Sequence, residues 1–272
     1  MHRLLKPERD TEIVDVDMIP ADGPAPYAAL FESGDSRLTR FEPPLAGDGF
    51  PKARRRERYL SHLVGDGGDH SLQVCVHPGL TSLLEPNTRV LALYPDLRRN
   101  ATVSRTVTDL RTKRLDDIKA IKGVDLLKVS MRGGELAVLQ GGRQTLKSTV
   151  AIHTDVAFVQ IYKDQPTQGD IDVEMRSQGF VFHHFVGAKC FIMAAGAGTY
   201  ENQAPSSQLI TAEAIYLRDL SQHERLNDEQ LKQMAVICHH YGLFDEARFC
   251  IGHLEQRRAI PNGTVLRYMG VN

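Results

Sequence analysis

Two patterns of apolar and polar residues alternate along the chain up to about residue 220. Short segments with apolar residues at every second position are typical of strands, and apolar positions three or four residues apart are typical of helices. The segments predicted as strands are residues 12–17, 37–42, 71–76, 102–108, 124–131, 149–158, 180–186 and 213–217. The segments predicted as helices are residues 27–33, 115–120, 135–147 and 171–178. Alternating strands and helices predict βαβ units in an α/β fold with a mainly parallel, doubly wound sheet.

The pattern changes after residue 220, where helical periodicity takes over. Asn227 is a suitable N-cap for a helix to about residue 241, and a second helix is predicted over residues 244–257. The apolar stripe of this hairpin contains Leu231, Met234, Ile237 and Cys238. We therefore divide the chain into a sheet domain, residues 1–220, and a C-terminal helical hairpin, residues 221–272. We interpret the hairpin as a lid, a dimer arm or a partner surface, through which a homo- or hetero-oligomer could form.

Composition and charge exclude several classes of protein. The 33 Lys and Arg residues balance the 34 Asp and Glu residues to a net charge of −1, and 42% of the residues are hydrophobic. A disordered chain would be less apolar, and a nucleic-acid binder that relies on bulk electrostatics would carry a basic excess. No apolar stretch approaches the roughly 20 residues of a membrane helix, and the charged N-terminus does not resemble a signal peptide. Four widely spaced cysteines then predict a cytoplasmic protein with reduced thiols.

Three predicted strands end in polar residues, and ligands of doubly wound sheets bind at such carboxyl ends. Asp15 and Asp17 lead into a loop that contains Gly23. Glu42 ends the next strand about 20 positions after that glycine, the spacing of an acidic residue that binds ribose hydroxyls. The third strand end contains Lys128, Ser130, Gly133 and Glu135. From the residues alone, other interpretations are equally good: Asp15 as a helix or loop cap, and Glu42 as an exposed strand end.

These strand ends lie in segments that resemble the FkbM family of S-adenosylmethionine-dependent methyltransferases. The resemblance runs from about residue 13 to residue 185, and its segments are IVDVDMIPADGPAPYAALFESGDSRLTRFEPP, YLSHLVGDGGDHSLQVCVHPGLTSLLEP, TKRLDDI, VDLLKVSMRGGELAVLQGG and VAIHTDVAFVQIYKDQPTQGDIDVEMRSQGF. It implies a Rossmann-like class I methyltransferase fold, S-adenosylmethionine as cofactor, and O-methylation of a small-molecule or glycan acceptor. The acceptor group would be a hydroxyl of a sugar, a glycan or a secondary metabolite. The resemblance also implies that Asp15 begins the cofactor loop, that Glu42 holds the ribose and that Asp66 faces the adenine.

The sequence departs from the family pattern at three positions. Asp17 stands where the usual Val-Asp-Val-Gly-Ala-Asn segment has its glycine, Ser130 replaces the aspartate of Lys-Ile-Asp-x-x-Gly-x-Glu, and Arg132 replaces a commonly acidic or amide residue. A carboxylate at position 17 would repel the carboxylate of the cofactor by roughly 1 to 4 kcal/mol at about 4 Å. Without compensation, this lowers affinity about tenfold to a thousandfold. The departures support a second hypothesis, a catalytically degraded family member that acts as a binding or scaffolding partner of, for example, an active relative.

A serine at position 130 cannot act as a carboxylate base, so the base is sought on the next strand. His153 and Asp155 lie two residues apart and therefore share one face of that strand. We predict that they act as base and orienter, together with Lys128 and Glu135 as catalytic candidates. The alternative is a structural histidine beside a surface carboxylate.

Two further features are expected to have no role in catalysis. His183 and His184 are neighbours on a strand and should point to opposite faces, so no metal site is predicted. The basic run at residues 52–58 is predicted as a solvated helix face, with a patch for a phosphate or an anionic sugar as the alternative.

Overall fold

A seven-stranded sheet forms the centre of the molecule. In a computed structural model, the described residues are 1–19, 24–41, 53–193 and 207–270. The strands are β1 (Thr11–Asp17), β2 (Ser36–Phe41), β3 (Glu57–Leu60), β4 (Asp69–Cys75), β5 (Val103–Arg111), β6 (Leu126–Ser130), β7 (Ala151–Ala157), β8 (Phe180–Cys190) and β9 (Leu209–Arg218). The main sheet has the order β3-β2-β1-β6-β7-β9-β8.

Parallel pairing joins the five strands from β3 to β7 in this order. Only β9 runs the other way, antiparallel to both β7 and β8. Every residue of β6 is buried, as expected for a strand in the middle of a parallel sheet. Because the strand order reverses between β1 and β6, their carboxyl ends border the crevice where such folds bind ligands. The predicted α/β fold with a doubly wound, mainly parallel sheet is therefore confirmed.

Helices cover both faces of this sheet. They are α1 (His2–Leu5), α2 (Ala28–Glu32), α3 (Thr88–Leu91), α4 (Pro95–Asn100), α5 (Glu135–Gly141), α6 (Gln168–Ser177), α7 (Asp228–His240), α8 (Phe244–Gln256) and α9 (Thr264–Tyr268). On one face, Val16 of β1 and Val129 of β6 pack in one cluster with Val138 of α5 and Met175 of α6. Alternate residues of these strands point to the opposite face, which is covered by the C-terminal helices.

The C-terminal hairpin is a layer of the fold. Helix α7 begins with a capping box at Asn227, as the sequence predicts. Leu231 of α7 and Leu254 of α8 lie in one buried cluster with Ile13 of β1 and Leu126 of β6. The apolar stripe that we interpreted as a lid, arm or partner surface is thus used against the sheet. The division of the chain into two domains stays a prediction.

Three predicted elements, two strands and one helix, differ in the structure. Strands β4 and β5 form a two-stranded antiparallel ribbon outside the main sheet. The helix predicted over residues 115–120 is reduced to one 3-10 turn, Leu115–Asp117.

The basic run at residues 52–58 is not a helix over its described part, residues 53–58. That part is loop and turn followed by the start of β3, because this segment pairs with β2 along the sheet edge. Arg58 is exposed and donates from Nε to the hydroxyl of Thr39 at 2.7 Å, so this position is solvated, but on an edge strand of the sheet rather than on a helix. Lys52 lies outside the described residues.

Candidate active site at the carboxyl ends of the parallel strands

Register pairing places the polar strand-end residues side by side. Asp15 of β1 pairs with Lys128 of β6, which pairs with His153 of β7. One step further along, Asp17 pairs with Ser130. Residues two apart on a strand share a face, so all five side chains stand on the hairpin side of the sheet.

Lys128 lies between two carboxylates and binds one of them directly. Its Nζ donates to Asp17 Oδ2 at 2.6 Å and lies 3.7 Å from Asp15 Oδ1. The three side chains are 9%, 11% and 6% exposed for Lys128, Asp17 and Asp15. Burial lowers the pKa of Lys128, but Asp15 and Asp17 outweigh it, so the pKa is raised and the ammonium form is held. Burial raises the pKa of Asp17 in spite of the ammonium group.

This ion pair corrects one step of the sequence argument. The expected repulsion between Asp17 and a cofactor carboxylate assumed that nothing compensates the charge at position 17. Lys128 compensates it within hydrogen-bond distance. The charge of the Asp17 carboxylate therefore does not by itself imply a large loss of affinity for the cofactor.

Asp15 is held from the opposite side by two residues that sequence reasoning missed. The hydroxyl of Tyr27 donates to Asp15 Oδ2, and Arg40 Nε lies 3.4 Å from the same oxygen. Arg40 also donates from Nη2 to the Tyr27 oxygen at 3.1 Å. The second oxygen, Asp15 Oδ1, is buried and has no hydrogen-bond donor among the described residues. Such an oxygen is an unfilled acceptor at the strand end.

A second cluster forms around Asp155 at the end of β7. Its Oδ2 accepts from Ser130 Oγ at 2.6 Å and from Arg132 Nη1 at 2.6 Å. Asp155 also contributes to the raised pKa of Lys128, after Asp15 and Asp17, so the two clusters form one electrostatic unit. A carboxylate of the neighbouring strand thus lies against the serine at position 130.

His153 does not pair with Asp155 as predicted. Its Nε2 lies 2.8 Å from Glu213 Oε2, and its Nδ1 lies 3.4 Å from the hydroxyl of Tyr241. The residue is 1% exposed, at the junction of the sheet and the hairpin. The predicted pair of His153 as base and Asp155 as orienter is therefore wrong in geometry. The contacts of His153 are those of the alternative interpretation, a structural histidine.

Glu135 holds the turn that follows β6. Its two oxygens accept the backbone N–H groups of Met131 and Gly133 at 2.8 Å each. Gly133 has φ +105°, and a Cβ there would lie 2.8 Å from Leu84 Cδ1, so only glycine fits this turn. Burial is the main cause that raises the pKa of Glu135. Both oxygens are already engaged, so the contacts of Glu135 are those of a positioning group.

Asp66 lies in a separate cluster. Its Oδ1 accepts from Gly68 N at 2.8 Å and from Thr112 Oγ1 at 2.9 Å, and lies 2.8 Å from His70 Nε2. Burial raises the pKa of Asp66, but the bond with His70 and the other donors prevail and lower it to about 2. Among the described residues, no hydrogen bond or ion pair joins Asp66 to Asp15.

Asp66 lines a cleft of about 450 Å³ beside the start of α5. The cleft is walled mainly by apolar side chains and by the turn after β6; the lining includes Leu83, Leu84, Met131, Gly133, Leu136 and Pro166. This is the size and character of a small-molecule site.

Two predicted cofactor contacts, Gly23 and Glu42, lie outside the described residues, and their roles stay predictions. Among the described residues, no group of three or more His, Cys, Asp and Glu side chains could hold a metal ion. His183 and His184 do not point apart as expected, because a register shift in β8 brings their Nδ1 atoms to 2.7 Å. The described part of the chain also contains no helix long and apolar enough to cross a membrane.

Fold and site together define a Rossmann-like α/β protein with a cluster of mostly buried polar side chains at the switch point of its sheet. The chain belongs to the FkbM methyltransferase family, since a family model described as "Methyltransferase FkbM domain" matches residues 22–182, more than half of the chain. No curated protein matches the chain.

Two solved structures are similar to this chain. One is a Thermoplasma acidophilum protein described as a candidate methyltransferase, with 13% identity, coverage of 78% of this chain and 70% of the other, and a TM-score of 0.34. The other is M. jannaschii TYW2 in complex with AdoMet, with 10% identity, coverage of 79% and 73%, and a TM-score of 0.29. At these scores neither structure carries an argument about the site.

Proposed function

We propose that this protein is an S-adenosylmethionine-dependent O-methyltransferase that acts on a hydroxyl of a sugar, a glycan or a secondary metabolite. Family membership supports the reaction class. The observation that carries the proposal is the position of Asp155, whose carboxylate lies against Ser130 where the family motif has an aspartate. A strand-end carboxylate is thereby retained in spite of the substitution.

The residues present fit the cofactor. The unfilled buried oxygen of Asp15 suits a donor such as an ammonium or hydroxyl group, and Lys128 neutralises Asp17. Asp15, Asp17 and Ser130, with Gly23, Glu42 and Asp66 as predicted from the sequence, are the proposed cofactor contacts. When bound, S-adenosylmethionine would supply a methyl group activated on a sulfonium.

In the proposed reaction, the protein aligns the acceptor hydroxyl with the cofactor and takes up the proton of that hydroxyl. Methyl transfer is a displacement, so it depends mainly on holding the acceptor oxygen in line. Asp155 would accept the hydrogen bond of the acceptor hydroxyl and take up its proton. Ser130 and Arg132 fix the orientation of that carboxylate through their two 2.6 Å contacts. Lys128 limits the negative charge of the strand ends.

A specific observation favours the second candidate function, a degraded family member that binds a partner without catalysis. Tyr27 and Arg40 already contact one oxygen of Asp15, and Asp17 occupies the position of the family glycine. Binding through the apolar stripe of the hairpin is not supported, because this stripe packs on the sheet. The free cysteines support a cytoplasmic location for either function, since reduced thiols persist there.

Calorimetric titration with S-adenosylmethionine and with S-adenosylhomocysteine distinguishes the two functions. We expect micromolar binding by the wild-type protein and at least tenfold weaker binding by Asp15→Asn, since a hydrogen bond to a charged group contributes about 1.5 to 3 kcal/mol. Asp245→Asn, at a side chain 85% exposed, is the matched control and should bind like wild type. Absence of heat at millimolar ligand would leave the degraded member as the function.

The role of Asp155 is tested by moving its carboxylate. Ser130→Asp alone should lower the free energy of unfolding by roughly 1 to 4 kcal/mol, because two carboxylates would then meet at close range. Ser130→Asp combined with Asp155→Asn should recover most of this loss, since the charge is relocated rather than doubled. Urea denaturation of wild type, Ser130→Asp, Asp155→Asn and the double variant gives the coupling energy between positions 130 and 155. Additive effects would mean that Asp155 does not stand in for the family aspartate.

A further inference from the structure

Arg132 has a strained backbone at the edge of the candidate site. Its φ is +52°, in the left-handed region that non-glycine residues rarely adopt. The hydroxyl of Ser82 donates to its carbonyl oxygen at 2.6 Å, which helps to hold the turn in this form. Strain of this kind costs of order 1 kcal/mol or more and persists where the surroundings over-determine it, often at ligand sites.

The guanidinium of Arg132 is anchored at one end only. Nη1 donates to Asp155 at 2.6 Å, while Nε is buried and finds no hydrogen-bond partner in the described part of the chain. Nη2 makes no hydrogen bond with the described residues, and the side chain is 23% exposed. The edge formed by Nε and Nη2 is therefore the unpaired part of the group. Two parallel N–H donors on this edge match the two oxygens of a carboxylate.

The surroundings fix the charge of this arginine. Burial lowers the pKa of Arg132, but Asp155, Asp17 and Glu135 prevail and raise it. The carboxyl groups of Asp155, Asp17 and Glu135 lie around Arg132 and would repel an incoming acidic group. Such a group therefore needs a cationic edge that is not already paired with a protein oxygen. At Lys128 the nearest carboxylate is bound directly, whereas Arg132 retains a free edge.

We propose that the Nε–Nη2 edge of Arg132 binds a carboxylate of a ligand in the candidate site. The inference rests on the proposed function, because it takes the crevice at the strand ends to be the ligand site. The carboxylate has two sources: the amino-acid end of the cofactor, or an acidic acceptor such as a uronic acid. Arginine at this position then determines which anion the site accepts.

Binding measurements with paired ligands test the inference. Each pair differs in its carboxylate: S-adenosylhomocysteine against 5′-methylthioadenosine, which lacks the amino-acid end, and D-glucuronate against D-glucose in the presence of S-adenosylhomocysteine. The proteins are wild type, Arg132→Gln, Arg132→Lys and the control Arg99→Gln, whose arginine is 75% exposed and pairs with the exposed Asp96. Calorimetry reports the nucleosides, and saturation-transfer NMR reports the sugars.

We expect Arg132→Gln to weaken one acidic ligand about 10- to 100-fold, the loss of hydrogen bonds to a charged group, and to leave its neutral counterpart within twofold. Arg132→Lys should restore only part of the affinity, because an ammonium lacks the two-pronged edge. A selective loss for S-adenosylhomocysteine assigns the edge to the cofactor, and one for D-glucuronate assigns it to the acceptor. Equal affinities of wild type and Arg132→Gln for both acids would overturn the inference. Failure of the wild-type protein to bind any nucleoside would instead overturn the proposed function.

Discussion

Substitution of Lys128 by methionine is expected to lower the free energy of unfolding by about 3 to 5 kcal/mol, the typical cost of removing one partner of a buried ion pair. Lys128 is the cation between Asp15 and Asp17, and all three side chains are at most 11% exposed. Methionine retains much of the volume and the apolar stem. The expected loss therefore comes mainly from two carboxylates left close together in a poorly solvated place.

The loss should depend on pH with a defined sign. Burial already raises the pKa of Asp17 above its ordinary value, and removal of Lys128 raises it further. An acid whose folded pKa is raised costs stability above its unfolded pKa, about 4, and this cost is complete above the folded pKa. The effect of Lys128→Met should thus be larger at pH 8 than at pH 5. Urea denaturation at both values measures it.

Two further variants isolate the buried charges. Lys163→Met removes an exposed lysine, 58% accessible, from its pair with Glu85, and should cost less than about 1 kcal/mol. The double variant Lys128→Met with Asp17→Asn should regain part of the stability, because one of the two carboxylates that lose the ammonium group is gone. If Lys128→Met were no more costly than Lys163→Met at pH 8, the strand ends would not be the charge-balanced unit described above.

The position of the strand-end residues could be predicted from the sequence, because it depends on local patterns. The apolar run of β6 identifies a central strand, and parallel strands end at the same edge of a sheet. The sequence therefore predicts that Asp15, Lys128 and Ser130 lie at one edge of the sheet. The family resemblance added the cofactor, and the family model confirmed the membership.

The partners of these residues could not be predicted, since they depend on register between distant segments. The pair of Lys128 with Asp17 joins residues 111 positions apart, and a shift of the register by one residue would turn one side chain to the other face. Spacing on one strand correctly put His153 and Asp155 on the same face. It could not reveal that Glu213 and Tyr241, from other parts of the chain, lie within hydrogen-bond distance of the His153 imidazole.

The hairpin illustrates a different limit of sequence reasoning. Its apolar stripe was correctly identified, and the members Leu231, Met234, Ile237 and Cys238 are all buried. An amphipathic pattern shows that a face must be covered, but it does not show which surface covers it. The covering surface is the sheet face that carries Ile13 and Leu126, the same face that bears the polar side chains of Asp15 and Lys128.

Truncation of this stripe should therefore destabilise the whole protein. Leu231→Ala, at a side chain that is 0% exposed, is expected to cost about 2 to 5 kcal/mol, the usual range for a buried leucine. The control Leu266→Ala, at a residue 52% exposed in α9, should change stability by about 0.5 kcal/mol or less. The measurement is denaturation followed by far-UV circular dichroism and by tyrosine fluorescence.

The shape of the transition distinguishes a structural layer from a detachable lid. If the hairpin shares its core with the sheet, both signals of Leu231→Ala shift together to lower denaturant in one transition. A detachable lid would instead produce an early, partial loss of helical signal, while the sheet unfolds at the wild-type midpoint. The second result would contradict the common core. The first would mean that sheet and hairpin fold as one unit, so that ligands must reach Asp15 and Arg132 from the loops at the strand ends.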